Sequence, residues 1–135
     1  MKEITNQILI KKAASVIKPK KTEKGLFGDV SCALLSTNNH IYLGICADVG
    51  SNVFCAEKNA IGSMITNGEY KIKKIVAVWK DKQNQIFVIP PCGNCRQFIF
   101  EVDNTNLNTD VILDKNKTVK LKDLLSYHNW WKKQK

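Results

Sequence analysis

The spacing of apolar positions along the chain changes period several times, and each change marks an element. Residues 3–17 place Ile4, Ile8, Leu9, Val16 and Ile17 at helical spacing and predict a helix. Lys18–Gly28 (KPKKTEKGLFG) is polar and broken by Pro19, Gly25 and Gly28, so it predicts a loop. Asp29–Thr37 (DVSCALLST) predicts a strand, Asn38-Asn39 a tight turn, and His40–Ala47 (HIYLGICA) the returning strand of a hairpin. Residues 48–54 connect to a helix at about 55–67, which Gly68 closes. Residues 72–79 (IKKIVAVW) read as a buried strand. Gln85–Ile89 is a further strand or an extended approach, stopped by Pro90-Pro91. A second helix starts at Cys92 or Gly93 and runs to about Val102. Asp110–Asp114 is a strand, and residues 121–127 a short helix. Helices interleaved with strands in so short a chain predict an α/β fold, a three-layer α/β/α sandwich with a mixed, roughly five-stranded sheet. The first two strands are expected antiparallel and the later ones parallel.

Composition changes this picture little. A length of 135 residues fits one domain, 1–135, with a basic tail at about 127–135 holding Trp130 and Trp131. That tail is expected to pack on the core, cover a pocket or join subunits. No apolar run reaches the roughly 18 residues of a membrane span, and Met1–Thr5 lacks the pattern of a secretory signal. The expected location is cytoplasmic, away from membranes. The charge balance, 21 basic against 12 acidic residues for a net +9, raises nucleic acid as a partner. The detail argues against it. All the basic residues but Arg96 are lysines, scattered apart from 18–24 and the tail, and nucleic-acid readers favour the planar fork of Arg.

The five cysteines are Cys32, Cys46, Cys55, Cys92 and Cys95, an odd number that speaks against a disulfide framework. Cys92-x-x-Cys95 taken alone fits a redox pair, half of a structural zinc site or part of a catalytic one. Cys55 adds a third thiolate, one short of a closed structural tetrahedron. Three protein ligands with one open position are what a catalytic zinc site has, and a water held there is acidified towards neutrality. Glu57, two residues after Cys55, supplies a carboxylate for the proton traffic of replacing an amine by water. Cys55-Ala56-Glu57 followed by Pro91-Cys92-Gly93-Asn94-Cys95 matches the pattern of zinc nucleobase deaminases element by element. Both segments fall at predicted helix starts, where the helix dipole favours thiolates.

From about Asp29 to Val119 the chain resembles the cytidine deaminase superfamily. Cys-Ala-Glu and Pro-Cys-Gly-Asn-Cys-Arg-Gln (91–97) are similar to the wording of the free-nucleoside cytidine deaminases and the blasticidin S deaminases. Cys55–Gly68 (CAEKNAIGSMITNG) with Ile75–Val78 (IVAV) looks particularly like bacterial blasticidin S deaminases. The resemblance implies one zinc ion per subunit, held by Cys55, Cys92 and Cys95, with Glu57 as the proton shuttle. It implies a small nucleoside substrate whose base meets the backbone around Ala56, and a homo-oligomer, commonly a tetramer. Arg96 and Gln97 are then expected behind the thiolates, tempering their charge.

Departures from the family fall on sugar recognition. The Asn-x-Glu that holds ribose in cytidine deaminases falls without gaps on Gly44 and Cys46. A two-residue shift brings Cys46 and Asp48 to those places. The usual Val-Gly-Ala-Ala strand reads Val30-Ser31-Cys32-Ala33, which makes Cys32 a core residue, and Lys58 follows Glu57 where Arg is common. Phe27 and Phe54 border the site in sequence and are candidates to stack on a pyrimidine. His40 and His128, at a hairpin tip and in the tail, are poor ligand candidates. The expected reaction is hydrolytic deamination of the cytosine ring of cytidine or deoxycytidine, with blasticidin S as the alternative substrate and a polynucleotide-binding or -editing deaminase or an inactive zinc-binding scaffold as further alternatives.

Overall fold

The computed structural model describes residues 3–135. Helix α1 (Asn6–Ser15) starts where Thr5 accepts a hydrogen bond from the Ile8 backbone N–H at 3.2 Å. It buries Leu9, Ala13 and Ala14. Three strands follow, β1 (Lys20–Thr22), β2 (Gly25–Ser36) and β3 (Ile41–Val49), then a short edge strand β4 (Asn52–Phe54). Helix α2 (Ala56–Thr66) leads to β5 (Ile72–Lys80) and β6 (Ile86–Ile89). Helix α3 (Gly93–Val102), β7 (Asp110–Asp114) and β8 (Lys117–Lys120) complete the set, with two short 3-10 turns at Asn104–Asn108 and Leu121–Asp123.

The strands form one mixed sheet of eight, not five. The main path runs β4-β3-β2-β5-β7-β8, with β1 beside β2 and β6 beside β5. Two segments read from sequence as connections, 18–28 and 48–54, contain β1, the start of β2, and β4. Strands this short have no period of their own, and pairing with a neighbour makes them. Among the later strands only β5 and β7 pair parallel. β2–β5, β5–β6 and β7–β8 are antiparallel. The expected helix at 121–127 is instead the 3-10 turn Leu121–Asp123. Leu124 donates to Leu121 O at 2.9 Å and its carbonyl accepts from Arg96 Nη1 at 3.2 Å, while Tyr127 at φ +51° leaves helical geometry.

Strand alternation divides the core into two layers. On β2, Ala33 and Leu35 join Leu9, Ala13 and Ile17 of the α1 side, with Val76, Val78 and Ile112. Cys32 and Leu34 face the other way and pack with Ala60, Ile61, Met64, Ile75, Ile99 and Val111, beneath α2 and α3. This is the expected three-layer sandwich, and Cys32 is a core residue, 0% exposed.

Two contacts fix the depth of α2. Gly44 on β3 has no side chain because a Cβ there would meet Ala56 O and Ala60 N at 2.4 Å. The Ile45 backbone N–H beside it donates to Asn59 Oδ1 at 2.9 Å, so a side chain of α2 satisfies a donor of β3 beyond the end of β4. The start of α2 is thereby pressed onto the sheet.

Candidate active site

Cys55 and Cys92 are the N-cap residues of α2 and α3, both in extended backbone conformation. Their helices place Glu57 in the first turn of α2 and Cys95 in the first turn of α3. Two helix N-termini thus converge on the same space. Cys55 Sγ lies 2.6 Å from Cys95 Sγ. Those two sulfurs and the Glu57 carboxylate all fall within 4.8 Å of one another. Cys92 stands outside that tight group with its side chain exposed, yet close enough for its charge to raise the Cys95 thiol. The structure therefore brings three of the four expected residues into one cluster and leaves Cys92 at its rim.

The electrostatics shift the Cys55 thiol and the Glu57 carboxyl in opposite directions. The Cys55 thiol is pulled down to about 6, first by its hydrogen bond with Cys95 and then, against the cost of burial, by the Lys58 backbone N–H and the Lys58 charge. Cys95 moves in the opposite direction because it shares that hydrogen bond and is buried beside Glu57. Glu57 is 6% exposed, and burial pushes its carboxyl above the usual range, with the Cys55 charge adding to the shift. No other side chain among the described residues donates to it. A buried carboxyl without a side-chain donor holds its proton more tightly and can pass it on.

Soft thiolate donors at two helix N-termini, with a proton-carrying carboxyl beside them, fit a zinc ion. Glu57 faces a narrow crevice lined by Ile75, Ala77, Ile89, Pro91 and Val111. Apart from Glu57 the lining is apolar.

Residues 4–109 match the family model described as the cytidine and deoxycytidylate deaminase zinc-binding region. The chain belongs to this family. It is 33% identical to a cytidine deaminase of Mycoplasma genitalium over 97 residues, 69% of each chain. It is 42% identical to a blasticidin-S deaminase of Bacillus cereus over 57 residues, 39% of this chain and 41% of that one. Among solved structures, the cytidine deaminase of Mycobacterium tuberculosis superposes with a TM-score of 0.73 at 20% identity, covering 93% of this chain and 97% of that one. The cytidine deaminase of Burkholderia pseudomallei gives 0.72 at 23% identity, covering 91% and 98%. These structural likenesses show the fold.

Deaminase family membership makes the chain a hydrolytic enzyme with zinc as its cofactor, and the Cys-Glu-Cys cluster fits one ion per chain. The remaining expected site residues of this deaminase fall as follows. Ala56 is fully buried at the first helical position of α2, against Gly44. Cys46, on the α2 side of β3, packs against the cluster that holds Ala56 and Cys32, and its thiol donates to Asp29 Oδ1 at 2.9 Å. Asp48 is exposed on β3 opposite Val53. Phe27 pairs with Ala47, while Ser31 pairs with Ile45 and donates to Ala13 O of α1. Ile45 and Ala47 share a face of β3, so Phe27 lies on the α1 side of the sheet, across from Glu57. Phe54 is 44% exposed on the edge strand β4.

Arg96 and Gln97 do not turn to the thiolates. Arg96 donates to Pro91 O at 2.8 Å and to Leu124 O, and so ties the start of α3 to the final turn. Gln97 donates to Glu101 Oε1 at 2.8 Å and to His128 O at 3.5 Å. Their side chains leave α3 on the side of the C-terminal segment, where backbone carbonyls need donors. Trp130 and Trp131 are 65% and 92% exposed, so neither packs on the core. Tyr127 meets Trp130 edge-on at 5.8 Å.

Asp29 and Asn59 were not singled out from sequence. Asn59 carried no legible signal, since it lies among the polar positions of α2 with Lys58, Ser63 and Thr66. Asp29 carried none, since a carboxylate at a strand start is ordinary.

Proposed function

We propose that this chain converts the cytosine ring of a free nucleoside, cytidine or deoxycytidine, to the uracil ring with release of ammonia. The observation that carries this reading is Glu57, a buried carboxyl with a raised proton affinity, set within 4.8 Å of the Cys55 and Cys95 sulfurs. Cys55, Cys92 and Cys95 would hold the zinc, with Cys92 moving in from the rim. Zinc at this place supplies a Lewis acid and a water acidified towards neutral pH. Glu57, as a carboxylate, takes one proton from the attacking water and gives it to N3 of the ring, then takes the proton of the new C4 hydroxyl and gives it to the amino group leaving C4. Water adds, ammonia leaves, and Glu57 ends in its starting state. The backbone N–H groups that open α2 around Ala56 are unpaired within the helix and are aimed at the base.

Blasticidin S is the second substrate to test, because the 42% identity to a blasticidin-S deaminase spans 57 residues. The preponderance of lysine over arginine speaks against a polynucleotide substrate. Exposed apolar side chains on the strands leading into Cys55 and Cys92, namely Val53, Phe54, Ile86 and Phe87, support a homo-oligomer, taken here as a tetramer. Five free thiols accord with a reducing, cytoplasmic setting.

The test follows the ultraviolet change of zinc-loaded protein with cytidine, deoxycytidine, cytosine and blasticidin S, with Glu57→Ala as the blank. Turnover of cytidine or deoxycytidine, absent in the blank and after chelation, supports the reading. Turnover of blasticidin S alone moves the enzyme to antibiotic resistance, and silence across the panel with zinc bound overturns the proposal.

A further inference from the structure

The register of β2 against β3 breaks at one place. Phe27 pairs with Ala47 and Ser31 with Ile45, so Gly28, Asp29 and Val30 together face Cys46 alone. The bulge needs Gly28, whose φ is +71° and where a Cβ would press on Lys18 O at 2.8 Å. Bulges of this kind re-aim a side chain, and they gather next to active sites. Here the bulge brings the Asp29 carboxylate to the Cys46 thiol, 2.9 Å from Oδ1, on the α2 side of the sheet.

Three observations place that carboxylate at the site. Gly44, two residues before Cys46 on the same face of β3, lies under Ala56 and Ala60 of α2. Cys32, paired with Gly44, lies close enough to Glu57 and Cys55 to be raised by their charges. At about 3.3 Å per strand residue, Cys46 sits about 7 Å beyond Gly44, the separation between the ring of a nucleobase and the far side of its sugar. In the other direction Glu57 faces only apolar side chains, Ile75, Ala77, Ile89 and Val111 among them, which offer nothing to a hydroxyl.

Asp29 is also underfilled. A carboxylate has about four acceptor positions, and a thiol is a weak donor. Among the described residues no other side chain hydrogen-bonds to Asp29, and it joins neither of the two ion pairs, although the chain has twenty lysines. The thiol orients the group and leaves most of its acceptor capacity open.

We propose that Asp29, aimed by the β2 bulge and held by the Cys46 thiol, accepts hydrogen bonds from the hydroxyl-bearing part of the nucleoside and so decides which sugar the enzyme takes. The proposal rests on the reading of the site as a nucleoside deaminase. It makes Asp29 a specificity residue acting on KM and product affinity, apart from the proton transfers of Glu57.

The experiment compares wild type, Asp29→Asn and Cys46→Ala as zinc-loaded enzymes. KM and kcat are measured for cytidine and 2′,3′-dideoxycytidine. Calorimetry gives Kd for the products, uridine and 2′,3′-dideoxyuridine. The expected result is a 10- to 100-fold rise in the cytidine KM and the uridine Kd of Asp29→Asn, the loss of a charged hydrogen bond. The change in kcat is smaller, and the dideoxy compounds shift less than threefold. Cys46→Ala raises the same two constants a few-fold, since the carboxylate stays but loses its anchor. Equal losses for ribo and dideoxy compounds, unchanged constants in Asp29→Asn, or wild-type protein that turns over cytosine compounds without Asp29-dependent affinity each overturn the proposal. Uridine binding that depends on Asp29, in protein that deaminates nothing, overturns the deaminase reading instead and leaves this one standing. Protein that neither turns over cytidine nor binds uridine overturns both.

Discussion

The two ends of α2 hold carboxyls that the fold treats in opposite ways. At the N-terminal end Glu57 is buried, receives no side-chain donor, and has its proton affinity raised. Just past the C-terminal end, Glu69 lies within a fan of donors. Asn38 reaches it at 2.9 Å, His40 Nδ1 lies 2.7 Å away, and the Tyr42 hydroxyl donates as well. Led by Tyr42 and Ser36, those bonds hold Glu69 down at about 2. Burial without donors keeps a proton for transfer, and donors without deep burial fix a permanent charge. The first arrangement suits the proton transfers proposed for Glu57. The second pins the β2–β3 hairpin to the segment between α2 and β5. One helix therefore carries a working end and a clamped end, and their roles follow from hydrogen-bond supply rather than residue type.

The comparison breaks most sharply by mutation of the working end. Glu57→Gln is expected to lower turnover about 100- to 10,000-fold, the range of general acid–base catalysis, while the thermal midpoint stays near wild type. That stability is expected because burial penalises charge at this position and Gln preserves the shape of the carboxyl. Glu69→Gln should do the reverse, with kcat within about threefold of wild type and a lower melting temperature. Ultraviolet assays and melting curves on both variants decide it.

Next in size is Gly44→Ala. A methyl group 2.4 Å from two backbone atoms of α2 forces the helix off the sheet, and overpacking of this kind costs about 1–3 kcal/mol. Urea denaturation should show that loss, and zinc affinity should fall with it because Cys55 and Glu57 ride on the displaced turn. Unchanged stability and unchanged zinc affinity would show that α2 does not rest on Gly44.

Acid sharpens the clamped end. The folded value of Glu69 lies below the ordinary 4.5, so the unfolded chain takes up the proton first as pH falls. The stabilisation is complete above about pH 4.5 and is lost between there and about 2. Melting temperatures from pH 6 to 2 should fall less steeply in Glu69→Gln than in wild type across that window.

The smallest effect is expected at Arg96, whose side chain bonds to backbone carbonyls at the start of α3 and at Leu124. Arg96→Lys loses one or both carbonyl bonds, about 1 kcal/mol, and loosens the turn at Leu124. Turnover should change little and tryptophan fluorescence from the tail should shift. A loss of turnover as large as that of Glu57→Gln would instead place Arg96 in the reaction.

The long elements were legible because their periodicity spans several turns or pleats. The helices at α1, α2 and α3 and the strands β2, β3, β5 and β7 could be read from Leu9, Ala13 and Ile17, or from the alternating Cys32, Ala33, Leu34 and Leu35. The three- and four-residue strands β1, β4 and β8 could not, since nothing within Lys20–Thr22 or Asn52–Phe54 specifies a partner. Residues 121–127 look helical by composition. In the structure they form only the 3-10 turn Leu121–Asp123, and Tyr127 at φ +51° lies outside helical geometry. Asn106 was equally silent. Its side chain accepts from Ile72 N–H at 2.8 Å and donates to Tyr70 O and Ile99 O, joining α3 to β5 across the core.

Sequence by itself determined the chemistry. Thiols and a carboxyl at fixed spacing, each at a helix start, define a donor set and a proton carrier before any fold is known. Tertiary structure decided the environment: which carboxyl is starved of donors and which is saturated, which cysteine stands at the rim, and which acid a strand bulge turns towards the site. Those outcomes depend on contacts between residues tens of positions apart. Burial and hydrogen-bond supply, which set a group's protonation, exist only once the chain has closed on itself.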